Sequence, residues 1–566
     1  MSVAPGPPPS PPPSPPSSDP PRPALPIADP PPAPLATDSA PIPGPTASAT
    51  PGRGGVLVVG GGISGLAAAW ELSRAGIRTI VVEATERLGG KLRTERIDGF
   101  LVEAGPDSFV SYRPAALQLA AELGISGDVV VPLEPRRVLI RTGGTFRAMP
   151  QDMGLVLPTR VMPFLTTPLF SPVEKLRMGL DLVLPRRDLE RDVAVGAYLR
   201  ARLGPALVRR LAEPLIGGVY GTPIDELSLH AVVPQLRDAN RDHRSLLLAS
   251  LASRRASRPG RSQAAGTRRL PPFVTFAGGV GQLAESLVDA LGRSPDVELR
   301  AGVGVTGLDV DGGRIEAALA TGERIRPDAV VVAVPGPAAA ALLRPTVPAA
   351  ADAIDTIPHG TTAVVTLAYR TEQFAEPPRT HGFLVAAGEE LTLDACTVSS
   401  AKWPGRAPAG TVLLRAFLGS RSGRAPGMRD DELRAAVEAD IAATMGAHGR
   451  PIMAHVSRWT GQMPQYTVGH LERVAAAEAA LARLPRVQLA GAPYRGVGIP
   501  DCVSQGRSAA SRIRAALDGQ TAAEDIPGGR VARDHAPGDA ASGTDASAGP
   551  DALPRHDATA AQRMSA

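Results

Sequence analysis

The sequence predicts an α/β protein: a discontinuous domain on a parallel sheet, a mixed α+β domain and a helical insertion, between two disordered tails. Three observations predict it. Val56–Val59 is a short apolar run fit for a buried strand, and it leads through Gly60-Gly61-Gly62-Ile63-Ser64-Gly65 into a helix with apolar residues at Leu66, Ala69, Trp70 and Leu72. Short apolar strands recur far along the chain, at Val297–Val310, Ala329–Val334 and Val487–Gly491, which is the order of a sheet assembled from separated pieces. Twenty of the first fifty residues are proline, so residues 1–52 should form an extended tail, and residues 519–566 lack the large apolar side chains a core needs.

The glycines of the first unit each have a job. Gly60 permits a tight turn, Gly62 lets the backbone approach a pyrophosphate, and Gly65 lets helix and strand pack closely, as in Rossmann-like dinucleotide-binding folds. The pyrophosphate would rest on the free N–H groups of the helix N-terminus. Gly76 stops the helix, and Ile77–Val82 is a second strand ending in Glu83, placed to accept hydrogen bonds from a ribose. Arg87-Leu88-Gly89-Gly90-Lys91 follows, adding a second glycine pair and basic side chains where more of a dinucleotide would lie. This pattern resembles the GG-doublet FAD-binding oxidoreductases, a group that includes amine oxidases, phytoene desaturases and protoporphyrinogen oxidases. The resemblance implies a Rossmann-like FAD-binding domain.

Beyond it, Gly105-Pro106-Asp107-Ser108-Phe109 reads as a turn with a helix cap, followed by a helix through Leu123. Glu174–Leu184, Val193–Leu203 and Ala206–Ile216 show apolar positions three and four apart and read as helices. Residues 256–271 are basic and read as a flexible solvated loop. Val297–Val310 and Ala329–Val334 are expected to return to the dinucleotide-binding sheet, residues 360–420 to alternate as strands, and Cys502–Leu517 to form the last helix. The expected organisation is an FAD-binding domain from 53–96, 272–345 and 455–518, a substrate domain from 97–145 and 346–454, and a helical insertion over 146–255.

With 60 basic and 56 acidic residues the formal charge is +4. No basic stripe with interleaved aromatics appears, so nucleic acid is not an expected partner. Cys396 and Cys502 are the only cysteines, which fits a reducing compartment and no disulfide framework. The longest apolar stretch, Ala329–Leu343, is shorter than a membrane span and holds Pro335 and Pro337. A cytoplasmic protein is expected, with peripheral membrane contact left open. The scattered histidines give no metal-ligand spacing, so no metal is expected.

The C-terminal segment narrows the resemblance. Gly491-Ala492-Pro493-Tyr494-Arg495-Gly496-Val497-Gly498-Ile499-Pro500-Asp501-Cys502 is similar to the signature of protoporphyrinogen/coproporphyrinogen oxidases, bacterial branch. So are Glu103–Phe109, Glu213–Tyr220, Ala395–Arg406, Arg458-Trp459 and Met463–Tyr466, and the likeness runs from about Val56 to Ala515. It implies that Gly60, Gly61, Gly62, Ile63, Ser64, Gly65, Glu83, Ala84, Lys91, Gly105, Pro106, Asp107, Ser108, Val303, Trp459, Val497, Gly498 and Ile499 hold FAD non-covalently. Trp459 is equally readable as a core residue. Cys502 lacks the Ser-Gly-Gly-Cys context of a covalent flavin link and reads as an inert buried thiol. Arg137 is the candidate partner of a substrate propionate, Arg141 its competitor, and a plain surface arginine the alternative to both.

The implied reaction is oxidation of coproporphyrinogen III to coproporphyrin III in haem biosynthesis, with dioxygen as acceptor and hydrogen peroxide formed. No catalytic side chain is required, because hydride transfer to flavin N5 depends on positioning. Protoporphyrinogen IX is the alternative substrate. A flavin amine oxidase or desaturase, or a binding protein without turnover, are the other readings. A ferrochelatase is the expected recipient of the product.

Overall fold

The computed structural model describes residues 55–150, 153–154, 157–158, 161–256, 270–311, 313–419 and 427–519. The tail 1–52, residues 520–566 and residues 257–269 of the basic loop lie outside the described residues.

Val56–Val59 (β1) is the middle strand of a five-stranded, wholly parallel sheet. Thr79–Val82 (β2) and then Val297–Arg300 lie to one side, Ala329–Val332 and then Val487–Leu489 to the other. The run VLVV is apolar throughout because both faces are covered. Alternation of side chains decides which cover each meets. Val56, Val58, Val81 and Val331 face the helices Ile63–Arg74 (α1), Gly281–Gly292 and Ile499–Leu517. Leu57, Val59, Val330 and Val332 face Gly336–Leu343, Pro348–Asp355 and His470–Leu481.

One expected strand is shorter than predicted. Only Val297–Arg300 joins the parallel sheet; Val305–Asp311 instead opens an antiparallel meander with Arg314–Leu319 and Arg324–Ile325. The chain turns between them at Gly302, whose φ of +73° a side-chain-bearing residue resists.

A second sheet has seven strands in the order 453–464, 359–370, 411–418, 395–398, 382–385, 138–142 and 145–148. All neighbours are antiparallel except 382–385 with 138–142. Helix Asp430–Met445 packs Leu433, Val437 and Ile441 on its face.

The insertion is helical, as expected. Ser171 starts Pro172–Gly179 with a capping box to Glu174, and Val195–Leu203 and Val208–Gly217 pack around Leu199, Leu203 and Leu211. Val208–Gly217 is a π-helix containing Pro214, which has no N–H for a normal helical bond. A fully buried Asp181–Arg202 pair, 2.5 Å apart, ties this layer together, with Ser245 Oγ and the Leu247 N–H also donating to Asp181. No helix among the described residues is long and apolar enough to cross a membrane.

Candidate cofactor and active site

The first and third glycines of the loop after β1 are demanded by the protein's own packing. Gly60 has φ +106°, and a Cβ there would sit 2.6 Å from the Ala333 carbonyl oxygen. A Cβ on Gly65 would come within 2.0 Å of the Gly60 carbonyl oxygen. Gly62 differs: a Cβ there meets nothing within 4 Å. Its smallness answers to open space beside the loop, the space a ligand backbone would take. Gly62 is also the N-cap of α1, with no side chain capping the helix, so the first amides stay available to an anion. The glycine doublet closes onto this loop: Gly89 pairs with Gly62, and its N–H donates to the Gly61 carbonyl at 2.7 Å.

Glu83 stands at the end of β2. One carboxylate oxygen accepts the Gly61 N–H at 2.8 Å, the other Thr85 N–H and Oγ1 at 2.9 and 2.8 Å. It is thus braced at the loop, with acceptor capacity left for ribose hydroxyls. The following Ala84 is exposed. Arg87 does not reach outward as the sequence suggested. Its guanidinium donates to the carbonyls of Leu88, Gly90 and Leu92 and folds its own loop.

Lys91 behaves differently. Burial lowers its pKa from 10.5, and among the described residues no carboxylate pairs with its ammonium. The nearby thiol of Cys502 belongs to Ile499–Leu517, a 19-residue helix whose N-cap, Gly498, again supplies no side-chain cap. This helix packs so closely on α1 that a Cβ on Gly506 would lie 2.1 Å from the Ser64 carbonyl oxygen. The uncapped N-terminus of α1 and one unpaired ammonium therefore gather beside the space at Gly62. That donor set suits a dinucleotide pyrophosphate.

The Gly105–Ser108 turn is held from across the fold. Asp107 accepts from Lys402 Nζ at 2.8 Å, Trp403 Nε1 at 3.2 Å and Ser108 Oγ at 2.8 Å, with Arg415 at 3.8 Å. Burial alone would raise its pKa, but Lys402 and Arg415 outweigh burial and hold the carboxyl well below its usual range. Arg415 also donates to the Gly105 carbonyl at 2.6 Å, and the Trp459 indole N–H to the Ala104 carbonyl at 2.9 Å. One residue earlier, Glu103 accepts from Thr94 Oγ1 and the Val280 N–H, and burial raises its pKa. These contacts correct the expected helix cap. The Asp107 carboxylate points to Lys402, Trp403 and Arg415, Ser108 Oγ turns back to Asp107, and helix Ala115–Glu122 starts after Pro114 without a side-chain cap. Asp107 is engaged by the protein, so the turn's backbone is what remains to face a ligand, and Trp459 offers its ring rather than its N–H.

Val303 donates its N–H to the Glu83 carbonyl at 2.8 Å, which leaves its carbonyl for a base. Val497, Gly498 and Ile499 lead into the final helix. Cys502 lies 3.9 Å from the Gly496 and Val497 carbonyls, and burial pushes its thiol up to about 11. A thiol held neutral at physiological pH is a poor nucleophile.

Neither arginine joins this cluster. Arg137 is exposed just before strand 138–142, and its carbonyl accepts from the His381 N–H at 2.7 Å. That strand is five places along the sheet from the one carrying Trp459, roughly 24 Å at ~4.8 Å per strand. Arg141 lies over Phe146 and pairs with Glu389 at 3.5 Å. A depression in the helical insertion, lined by Arg186, Arg187 and Tyr198, contains none of the residues singled out from sequence.

Sequence reasoning missed the work of Lys402, Trp403 and Arg415 at Asp107, and of Arg406, whose guanidinium donates to the Phe276 and Ala277 carbonyls. Three of them lie inside the Ala395–Arg406 motif, and the signal was the density of buried-type cations beside Trp403. Spacing along the chain could not show that the partner of Lys402 was 295 residues away.

Residues 63–514 match the model of flavin containing amine oxidoreductases. The chain is 46% identical over 501 residues to the coproporphyrinogen III oxidase of Propionibacterium freudenreichii subsp. freudenreichii, covering 83% of this chain and 94% of that one. It is 33% identical to the coproporphyrinogen III oxidase of Bacillus subtilis (strain 168), covering 81% and 98%. A crystal structure from Exiguobacterium sp. 255-15, described as a protoporphyrinogen oxidase, superposes with a TM-score of 0.71 at 31% identity, covering 83% of this chain and all of that one.

Proposed function

The chain belongs to the flavin-containing amine oxidoreductases and, among them, to the coproporphyrinogen III oxidases, and from that membership we infer its chemistry. It is an FAD-dependent oxidase that converts coproporphyrinogen III to coproporphyrin III in haem biosynthesis. The observation that carries the cofactor reading is the open space at Gly62, with the uncapped N-terminus of α1 and the unpaired Lys91 beside it. FAD, when bound, supplies a hydride acceptor at N5.

The chain's own residues bind and orient. The amides of Gly62–Gly65 and the Lys91 ammonium take the pyrophosphate, and Glu83 takes the ribose. The Val303 carbonyl serves the adenine. The backbone of Gly105–Ser108, held rigid by Arg415 and Lys402, and the Val497–Ile499 segment flank the ring end, with Trp459 packed alongside. Loss of hydride from a porphyrinogen bridging carbon leaves a cation stabilised by the adjoining pyrroles, so holding that carbon in line is the main task. Three bridging carbons lose hydride, and two pyrrole N–H protons and one proton of the fourth bridging carbon leave to solvent. Six hydrogens are lost in three oxidations, and three dioxygen molecules accept them as hydrogen peroxide.

The porphyrin product is of the class a ferrochelatase metallates, and transfer to one is its proposed fate. The exposed apolar side chains Met162, Val173, Leu176 and Val183 of the helical insertion favour peripheral membrane contact. The experiment mixes the purified yellow protein with coproporphyrinogen III or protoporphyrinogen IX in aerated buffer and follows porphyrin fluorescence. Fluorescence should grow with both and faster with the tetrapropionate. A preference for protoporphyrinogen IX would establish the second reading, and no fluorescence with either would refute both.

A further inference from the structure

The Met463–Tyr466 run has no part in the reading above, yet Tyr466 is 1% exposed and reaches the segment that precedes the final helix. Its hydroxyl donates to the Ala492 carbonyl at 2.6 Å and accepts the Gly496 N–H at 2.8 Å. Its ring lies on that of His470, with centroids 3.7 Å apart and planes 16° from parallel. His470 is fully buried, and its Nε2 stands 2.7 Å from the Tyr494 carbonyl oxygen. A carbonyl only accepts, so Nε2 carries the hydrogen. Burial lowers the imidazole pKa to about 4, so the ring is neutral near pH 7.

Two stacked side chains thus hold three backbone groups of the stretch Ala492–Gly496. That stretch forms no helix or strand, and Gly496 at its end has φ +121°. A segment with no ladder of its own takes its conformation from what grips it. The backbone on either side of the grip is fixed elsewhere. The Tyr466 carbonyl accepts the Ser228 N–H at 2.8 Å, the Val468 N–H donates to the Glu226 carbonyl at 2.9 Å, and Leu227 bridges to Thr467. Tyr220 of the insertion packs its ring 5.5 Å from that of Tyr466.

We propose that Tyr466, stacked on His470, is a positioning residue that fixes Gly496–Gly498 against the helical insertion and so sets where the N-terminus of Ile499–Leu517 meets the flavin ring. The proposal rests on the FAD reading given under Proposed function. Tyr466 acts through the backbone it holds and touches neither cofactor nor substrate.

Tyr466→Phe keeps the ring and the stack and removes only the hydroxyl. Three readouts are taken: FAD affinity by quenching of flavin fluorescence, the visible spectrum of the bound flavin, and the anaerobic rate of flavin bleaching by coproporphyrinogen III. We expect FAD affinity to fall about tenfold, the band near 450 nm to shift, and bleaching per bound flavin to slow about tenfold or more while KM changes less than threefold. A variant with wild-type affinity, spectrum and bleaching rate overturns the proposal, whatever its melting temperature. Should Tyr466→Phe not fold, His470→Phe carries the same readouts, since it keeps a ring in the stack and cannot donate to Tyr494. Wild-type protein that binds no FAD would sink the underlying reading, whereas wild-type binding with unaltered variants sinks the clamp alone.

Discussion

Lys91→Met separates what this side chain costs the empty fold from what it gives the filled one. The ammonium is partly buried, its pKa is lowered by that burial, and no carboxylate among the described residues would be orphaned by its removal. Methionine has a similar reach and no charge, so the apoprotein should melt at the same temperature or about 1–2 °C higher. FAD affinity should move the other way. A charge-assisted contact to a pyrophosphate oxygen contributes about 1.5–3 kcal/mol, so Kd should rise roughly ten- to a hundredfold. The pH dependence has a definite sign. With its folded pKa below 10.5, the lysine penalty in the apoprotein is full at neutral pH and fades as pH rises toward 10.5. Bound pyrophosphate favours the charged form, so wild-type FAD affinity should weaken as pH rises through that range, and the methionine variant should lose this slope. Fluorescence titrations at pH 7 and pH 10, with apoprotein melting curves beside them, supply all four numbers. If Lys91→Met bound FAD as tightly as the wild type, the ammonium would not touch the pyrophosphate and the argument from its missing partner would fall.

Gly62→Val should leave the apoprotein melting curve unchanged, because a Cβ there meets no protein atom within 4 Å, yet abolish retention of FAD through gel filtration. Cys502→Ala should still release all its flavin to the supernatant on acid precipitation; colour held in the wild-type pellet would contradict the non-covalent reading. Asp107→Asn breaks a part-buried ion pair and should cost about 1–3 kcal/mol by denaturant titration. Because its folded pKa is depressed, the Asp107 contribution is complete above the ordinary carboxylate value of 3.8 and is lost as pH falls below it, so the variant's stability should be flatter in acid. Arg141→Ala removes the partner of Glu389 and should leave kcat/KM for both porphyrinogens within about twofold, while a loss with Arg137→Ala would bring that exposed side chain to the substrate.

The parts of the fold that were legible in sequence are those whose cause is local. Val56–Val59 reads as a buried strand because both its faces are covered, and Gly60 and Gly65 read as a tight loop because the loop's own atoms exclude a Cβ at each. Val305–Asp311 misled because its apolar residues suit an antiparallel meander as well as a parallel strand, and only the turn at Gly302 separates the two. The supposed cap at Asp107-Ser108 misled for the opposite reason. Asp and Ser before a helix are the residues a cap would use, but Lys402 and Arg415, invisible at that distance along the chain, compete for the carboxylate and win by charge.

The placement of the site follows from the direction of five strands. All run parallel, so all five carboxyl ends lie at one edge, where a ligand crevice forms in open α/β sheets. The segments leaving those ends are Gly60–Gly65, Glu83-Ala84, the turn containing Val303, Ala333 and the Ala490–Gly498 loop, and backbone hydrogen bonds run from one to the next. Gly60 N–H donates to Val82, Glu83 N–H to Arg300, Val303 N–H to Glu83, Ala333 N–H to Val59 and Ala490 N–H to Val332. Residues 430 positions apart in the chain thus become neighbours through strand polarity alone. What polarity does not provide is the far end of the site, where no strand of this sheet reaches. There the Gly105–Ser108 turn and Trp459 are set by the second sheet, through the Arg415 bond to the Gly105 carbonyl and the Trp459 bond to the Ala104 carbonyl. A cofactor lying along this line would have its phosphates held by the parallel sheet and its ring end by contacts between the two sheets. Substitutions at Arg415 or Trp459 should therefore disturb hydride transfer more than FAD retention, while those at Gly62 or Lys91 should do the reverse, which paired measurements of flavin content and anaerobic bleaching rate would separate.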